Sequence, residues 1–258
     1  MNYVNIETLY PHMTRENAEK ARAALPSLRG VICEAFPYFC GREEGNISLY
    51  ARGEDYHKTV IKRLSEKCEE LKSEHPENVF LPYADVSPFP EVLAAVFAGL
   101  GVLGENGLLI TPEYGSFVFI GIIATDLYEE GGRELKKCEG CGRCIKACPS
   151  GALSENGFCI DKCVSELTQR KGELTFAQEE LIKNSPTVWG CDLCQLVCPH
   201  NEGIPSTGIE EFSSGVIKSL SREEIDMSNR AFREKYKDRA FSWRGVTPLL
   251  RNFKIKEK

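Results

Sequence analysis

The sequence predicts an α+β chain in three parts: an α/β domain over residues 1–132, a small cysteine-rich domain over 133–211, and a short basic helical tail over 212–258 packing on the core. Three observations carry this reading. Apolar runs at helix and strand spacing interleave through the first half. A charged Gly-Gly linker, residues 129–137, closes it. Beyond the linker, cysteines crowd into the stretch from Cys138 to Cys198.

The bulk numbers bound the class. At 258 residues the chain can bury a large core. Its 42% hydrophobic and 27% charged residues are ordinary for a globular protein. A net charge of −6 gives no global field for nucleic acid or anionic lipid. The charge is uneven: from Lys218 to Lys258 there are twelve Lys or Arg against six Asp or Glu, which leaves the remainder near −12. The first twenty residues show no basic region followed by an apolar run, and the apolar stretch from Val92 to Leu103 is too short to span a bilayer. A cytoplasmic protein without a membrane span is expected. Thiols stay reduced in that compartment, so dense cysteines read as metal ligands.

In chain order, Thr14 caps a helix to residue 25, and Arg29 to Phe36 is a buried strand. Residues 48–57 pack Tyr50, Arg52, Asp55, Tyr56 and His57 around Gly53, a mixture suited to a ligand pocket or to a helix entry turn. Asp55-x-His57 begins a DxHxxG cobalamin-ligand motif, but Val60 stands where the glycine belongs, so that motif is rejected. A helix follows over 58–72. Residues 80–85 form a strand that ends in Asp85. Ser87 as cap and Pro88 in the first turn then open the next helix. Asp85 thus sits at a strand-to-helix junction, as a ligand-gripping acid or as a turn residue.

Gly99, Gly101 and Gly104 spell GxGxxG. The motif follows a helix and leads into a strand, the reverse of a dinucleotide site, so a close approach to another backbone or a flat ligand is expected instead. The apolar runs at 107–111 and 117–125 are expected to pair as a hairpin, with something packed tightly on Gly121. Cys33, Cys40 and Cys68 lie outside any ligand spacing and read as small buried hydrophobes.

The cysteine block carries the chemistry. Cys138, Cys141, Cys144 and Cys148, followed by Pro149, spell CxxCxxCxxxCP, the ferredoxin-type [4Fe–4S] signature. Cys191, Cys194 and Cys198, followed by Pro199, repeat it short of one cysteine. In two-cluster ferredoxins three spaced cysteines hold one cluster and the fourth reaches the other. Cys138, Cys141 and Cys144 then take Cys198, and Cys148 joins Cys191 and Cys194. Either Cys163 or Cys159 supplies the last thiolate. Zinc is the competing reading, but the repeated pattern is far more specific than paired CxxC. Two adjacent clusters make an electron wire, which implies a redox function or a plain electron carrier.

At this point the residues resemble a known family. The stretch Tyr50-Ala-Arg-Gly-Glu-Asp-Tyr-His57, the pattern Asp85-x-x-Pro88-x-x-Glu91, Ala98 to Gly104, Leu108 to Ser116, both cysteine runs, Gly190 to Gln195 and Leu249-Leu-Arg-Asn252 are similar to epoxyqueuosine reductases. These are cobalamin and iron–sulfur enzymes of the last step of queuosine synthesis in tRNA. Cys163-Val-Ser165-x-Leu167-Thr168 matches the family's lone-cysteine segment, which selects Cys163 over Cys159. The resemblance implies a first domain holding base-off cobalamin, lined by Leu109, Ile110 and Gly121. The clusters feed it low-potential electrons from a flavodoxin- or ferredoxin-like donor, and the epoxide oxygen leaves as water. Asp85 falls on the family's proton donor and would also contact the cofactor, and the anticodon loop of tRNA would be the partner. Full-length members continue past the LLRN motif into a helical-repeat domain that helps to hold tRNA. A dehalogenase-like or corrinoid-activating reductase, or a non-catalytic two-cluster carrier, is the alternative.

Overall fold

The computed structural model describes all residues from Met1 to Lys258. The chain divides into two compact units that do not follow chain order. Unit 1 is Met1–Pro37 with His57–Gly140, and unit 2 is Tyr38–Tyr56 with Cys141–Lys258.

Unit 1 is built on a four-stranded sheet. Its strands are β1 (Tyr3–Asn5), β2 (Gly30–Pro37), β3 (Phe80–Ala84) and the later β6 (Val118–Thr125), in the order β1-β2-β6-β3. Every pairing is antiparallel, so the sheet lacks the parallel crossovers of doubly wound folds. Helix α1 (Arg15–Ala24) starts where Thr14 Oγ1 accepts the Asn17 amide, as the sequence predicts. Helix α2 (Tyr56–Glu74) buries Val60, Leu64, Cys68 and Leu71, one stripe at helical spacing.

Helix α3 (Glu91–Phe97) begins later than expected, with Pro90 and not Ser87 at its cap position. Pro88 and Pro90 remove two amide donors and hold residues 85–90 out of helix. Ala94 to Ala98 and Leu109 join Val31, Cys33, Ile122 and Ala124 in the unit 1 core.

Two further strands, β4 (Val102–Leu103) and β5 (Leu109–Ile110), pair with each other. The expected hairpin of 107–111 with 117–125 is therefore not formed, because β6 is enclosed by β2 and β3 on both edges. The glycine-rich run does serve close backbone approach: a Cβ on Gly101 would stand 2.1 Å from the Ile110 carbonyl oxygen. Leu103 also bridges to Lys137, which carries unit 1 past the Gly131-Gly132 linker.

Unit 2 holds short elements: helix α4 (Arg143–Ala147), the strands β7 (Leu153–Ser154) and β8 (Gly157–Phe158), and helices α5 (Val164–Gln169), α6 (Phe176–Lys183), α7 (Leu193–Leu196), α8 (Asn229–Lys235) and α9 (Thr247–Lys256). Its core gathers Ile47 and Ala51 with Val188, Trp189, Phe232, Phe241 and Leu249. Residues 38–56 belong here because Ile47 bridges to Trp189 and both side chains are fully buried. No helix is long and apolar enough to cross a membrane.

Candidate functional site

Four cysteines expected to share one cluster do converge. Cys148, Cys163, Cys191 and Cys194 line a single apolar cavity with Pro149, Val164 and Leu193. Cys159 is exposed and does not line it. No three acidic, histidine or cysteine side chains close around a single ion.

Burial pushes the Cys191 thiol up to about 11 and Cys194 up to about 12. At Cys148 burial acts the same way but is outweighed by the Leu153, Ser150 and Ala152 amides and the Ser150 hydroxyl, and the thiol is lowered. Such thiols become ligands only as metal displaces their protons. Of the other four, Cys144 and Cys198 are buried and Cys141 is exposed, all in unit 2. Cys138 lies in unit 1, its amide donating to the Leu103 carbonyl at 3.0 Å.

The cavity wall is held from two sides of unit 2. From residues 38–56, Ser48 Oγ donates to Asp192 Oδ1 at 2.5 Å and the Leu49 amide to Asp192 Oδ2 at 2.9 Å. Trp189 Nε1 donates to the Tyr50 hydroxyl at 3.0 Å, and buried Arg52 donates to the Ile47 and Glu43 carbonyls. Gly190 has φ +74°, and a Cβ there would stand 2.3 Å from Ser48 Cβ, so only glycine fits this crossing.

From α9, Asn252 Nδ2 donates to the Thr168 and Val188 carbonyls at 2.7 and 2.8 Å, and Arg251 donates to the Leu167, Arg170 and Gly172 carbonyls. Thr168 Oγ1 in turn accepts the Gly190 amide at 2.9 Å. The Leu249-to-Asn252 motif thus fixes the segments after Cys163 and before Cys191. Tyr50 and Arg52, from the stretch suited to a ligand pocket or a helix entry turn, both bond within this scaffold, and Arg52 also lines a cavity with Arg42, Glu43, Leu49 and Asp192.

Unit 1 carries the acid site. β3 stops at Ala84, and Asp85 turns the chain with φ +62°, the one non-glycine residue in the left-handed region. The Ser87 amide closes the turn on the Asp85 carbonyl at 3.0 Å. Such a backbone costs of order 1 kcal/mol, and residues held this way cluster at functional sites. His57 Nε2 lies 3.1 Å from Asp85 Oδ2. The histidine of the rejected cobalamin-ligand motif is therefore engaged with the acid.

The Asp85 side chain is 55% exposed. The carboxyl with the raised pKa is Glu91: burial pushes it up to about 7, Asp85 adds to the rise, and the Ser87 hydrogen bond and His57 oppose it. Glu91 was visible only as the end of the Asp85 motif; its burial against the sheet depends on contacts distant in sequence. Leu109 and Ile110 are buried in β5, and Gly121 lies in β6 under Phe36 and Leu64, whose atoms a Cβ would meet at 2.7 and 2.9 Å.

Comparison with known proteins places these sites in a family. Residues 137–201 match the family described as 4Fe-4S double cluster binding domain, and residues 19–85 match the one described as epoxyqueuosine reductase QueG, DUF1730. The epoxyqueuosine reductase of Lactococcus garvieae strain Lg2 is 36% identical over 214 residues, 81% of this chain and 60% of that protein. That of Bacillus cereus is 31% identical over 263 residues, 96% of this chain and 69% of that protein. A crystal structure of epoxyqueuosine reductase with an epoxyqueuosine-modified tRNA stem loop is similar with a TM-score of 0.82 and 29% identity, covering 91% of this chain and 66% of that one.

The chain spans roughly 60 to 70% of the length of these relatives. The matches cover both the double-cluster segment and the segment that ends in Asp85, at levels beyond a shared fold, and the chain belongs to the epoxyqueuosine reductase family.

Proposed function

We propose that this chain is a reductase that uses two [4Fe–4S] clusters and base-off cobalamin to convert epoxyqueuosine to queuosine in the anticodon loop of tRNA. One observation carries the reading: four cysteines from three separate segments line one cavity, in a chain that also presents the family's acid on a strained turn. Cys148, Cys163, Cys191 and Cys194 would hold one cluster, and Cys138, Cys141, Cys144 and Cys198 the other. A low-potential donor such as a flavodoxin or ferredoxin would reduce them.

Removing the epoxide oxygen as water takes two electrons and two protons. Cobalamin, when bound, supplies the route by which electrons reach the substrate carbon. Leu109, Ile110 and Gly121 would line it with backbone, and His57 lies 3.1 Å from Asp85 Oδ2 in the same unit. Asp85 would then touch both cofactor and substrate. It supplies a proton to the departing oxygen, and His57 fixes the carboxyl that delivers it.

Anaerobic reconstitution with iron and sulfide, followed by cobalamin binding and a cobalt EPR spectrum, tests the framework. Two clusters per chain and a base-off cobalt signal are expected. Intact clusters with no corrin binding would reduce the protein to an electron carrier.

A further inference from the structure

We propose, resting on the function above, that the exposed strip of Phe158, Ile160 and Lys162 is where a small acidic one-electron protein donor docks to load the clusters. Phe158 lines the cavity with Cys148, Cys163, Cys191 and Cys194, yet it is 54% exposed. One side chain therefore spans from the thiols to solvent. Ile160, two residues on, is 58% exposed. Of the large apolar side chains exposed in this chain, only these two lie within three residues of each other in sequence.

The strip is braced. β7 and β8 pair Leu153 with Phe158 and Ser154 with Gly157. The Cys159 amide donates to the Ala152 carbonyl at 2.8 Å, and the Cys163 amide donates to the Ile160 carbonyl at 2.9 Å, closing the turn that leads into the ligand. Apolar side chains fixed in this way lose little freedom on docking and give up water on contact. Lysines flank them: Lys162 precedes Cys163, Lys146 stands two residues before Cys148, and both are exposed. Between Cys148 and Cys163 the acids are Asp161, held by Arg170 at 2.9 Å, and Glu155. An apolar centre with lysines at its edge fits an acidic donor, and a patch of this kind suits the small, transient interfaces of electron transfer.

The other ligand set includes Cys138 of unit 1, the unit proposed to hold cobalamin, whereas all four ligands here belong to unit 2. This ligand set is thus the one left for electron entry. Each encounter oxidises the donor by one electron and reduces the cluster by one. No bond forms or breaks, and two encounters supply the electrons that one turnover consumes.

The test uses cluster-loaded, cobalamin-free protein with reduced flavodoxin as the donor, and dithionite as a small reductant that needs no docking surface. Cluster bleaching is followed by stopped-flow absorbance. Ile160→Asp and Lys162→Glu should each slow reduction by flavodoxin about tenfold at low salt, with iron content and the dithionite rate at wild-type values. Added salt should slow the wild type and close its gap to Lys162→Glu. Binding is read separately: excess oxidised flavodoxin should protect the exposed Cys159 thiol from iodoacetamide several-fold. Wild-type flavodoxin rates in both variants overturn the docking site, and so does an unprotected Cys159. An equal slowing with dithionite marks a cluster defect and overturns it too. Iron for fewer than two clusters in the wild type overturns the two-cluster reading, and the docking site with it. Neither cobalamin nor tRNA is present, so epoxyqueuosine that persists in the full assay overturns the substrate reading and leaves the docking site standing.

Discussion

The Ser48 hydroxyl donates to the Asp192 carboxylate at 2.5 Å, and the Leu49 amide fills the other oxygen at 2.9 Å. Asp192 lies between Cys191 and Cys194, so a segment from residues 38–56 holds the loop that carries two thiols. Asp192→Ala leaves a buried hydroxyl and a buried amide without partners, at a cost of about 2–4 kcal/mol. The variant should lose iron from the cavity lined by Cys148, Cys163, Cys191 and Cys194 and melt at lower temperature. Iron per chain and a thermal scan of anaerobically reconstituted protein measure both.

The ligand choice between Cys163 and Cys159 is separable in the same way. Cys163 lines the cavity, and Cys159 is exposed outside it. Cys163→Ala should retain about half of the wild-type iron, and Cys159→Ala all of it. Loss of iron in the Cys159 variant alone would reverse the assignment.

Much of this was legible in the sequence because it depends on local spacing. CxxCxxCxxxCP places thiols by chain geometry, the Thr14 cap and the α2 stripe are local signals, and the glycines of 99–104 announced a close approach. The failures are long-range. Ser87 followed by Pro88 spells a cap in the sequence, but the helix starts at Glu91, after Pro90. The local pattern pairs β5 with β6, whereas β5 pairs with β4 because β2 and β3 occupy both edges of β6. Tyr50 and Arg52 stay open between a pocket and an entry turn in the sequence, since the partner that decides for Tyr50, Trp189, lies far along the chain.

Asp85→Asn removes the transferable proton and keeps the shape. Turnover should fall by about 10²–10⁴, with both clusters unchanged in EPR and iron content. Full activity in this variant would take Asp85 out of the mechanism.

Glu91 also leaves a mark on stability. Its folded-state pKa, about 7, lies above the ordinary value of 4.5. The folded state therefore favours the protonated form, and that stabilisation is fully present below the unfolded value and is lost as pH rises from 4.5 through about 7. Glu91→Gln should thus match wild type at acid pH and exceed it by roughly 1–2 kcal/mol at alkaline pH, less than the full shift because the side chain is only partly buried. Paired thermal scans across pH check the difference. An equal offset at every pH would contradict the raised pKa.

The central claim is the reduction itself. The chain, loaded anaerobically with iron, sulfide and cobalamin and supplied with a low-potential reductant, should convert epoxyqueuosine in tRNA to queuosine, read by mass spectrometry of the released nucleosides. Epoxyqueuosine that persists while both clusters are reduced and cobalamin is bound would contradict it.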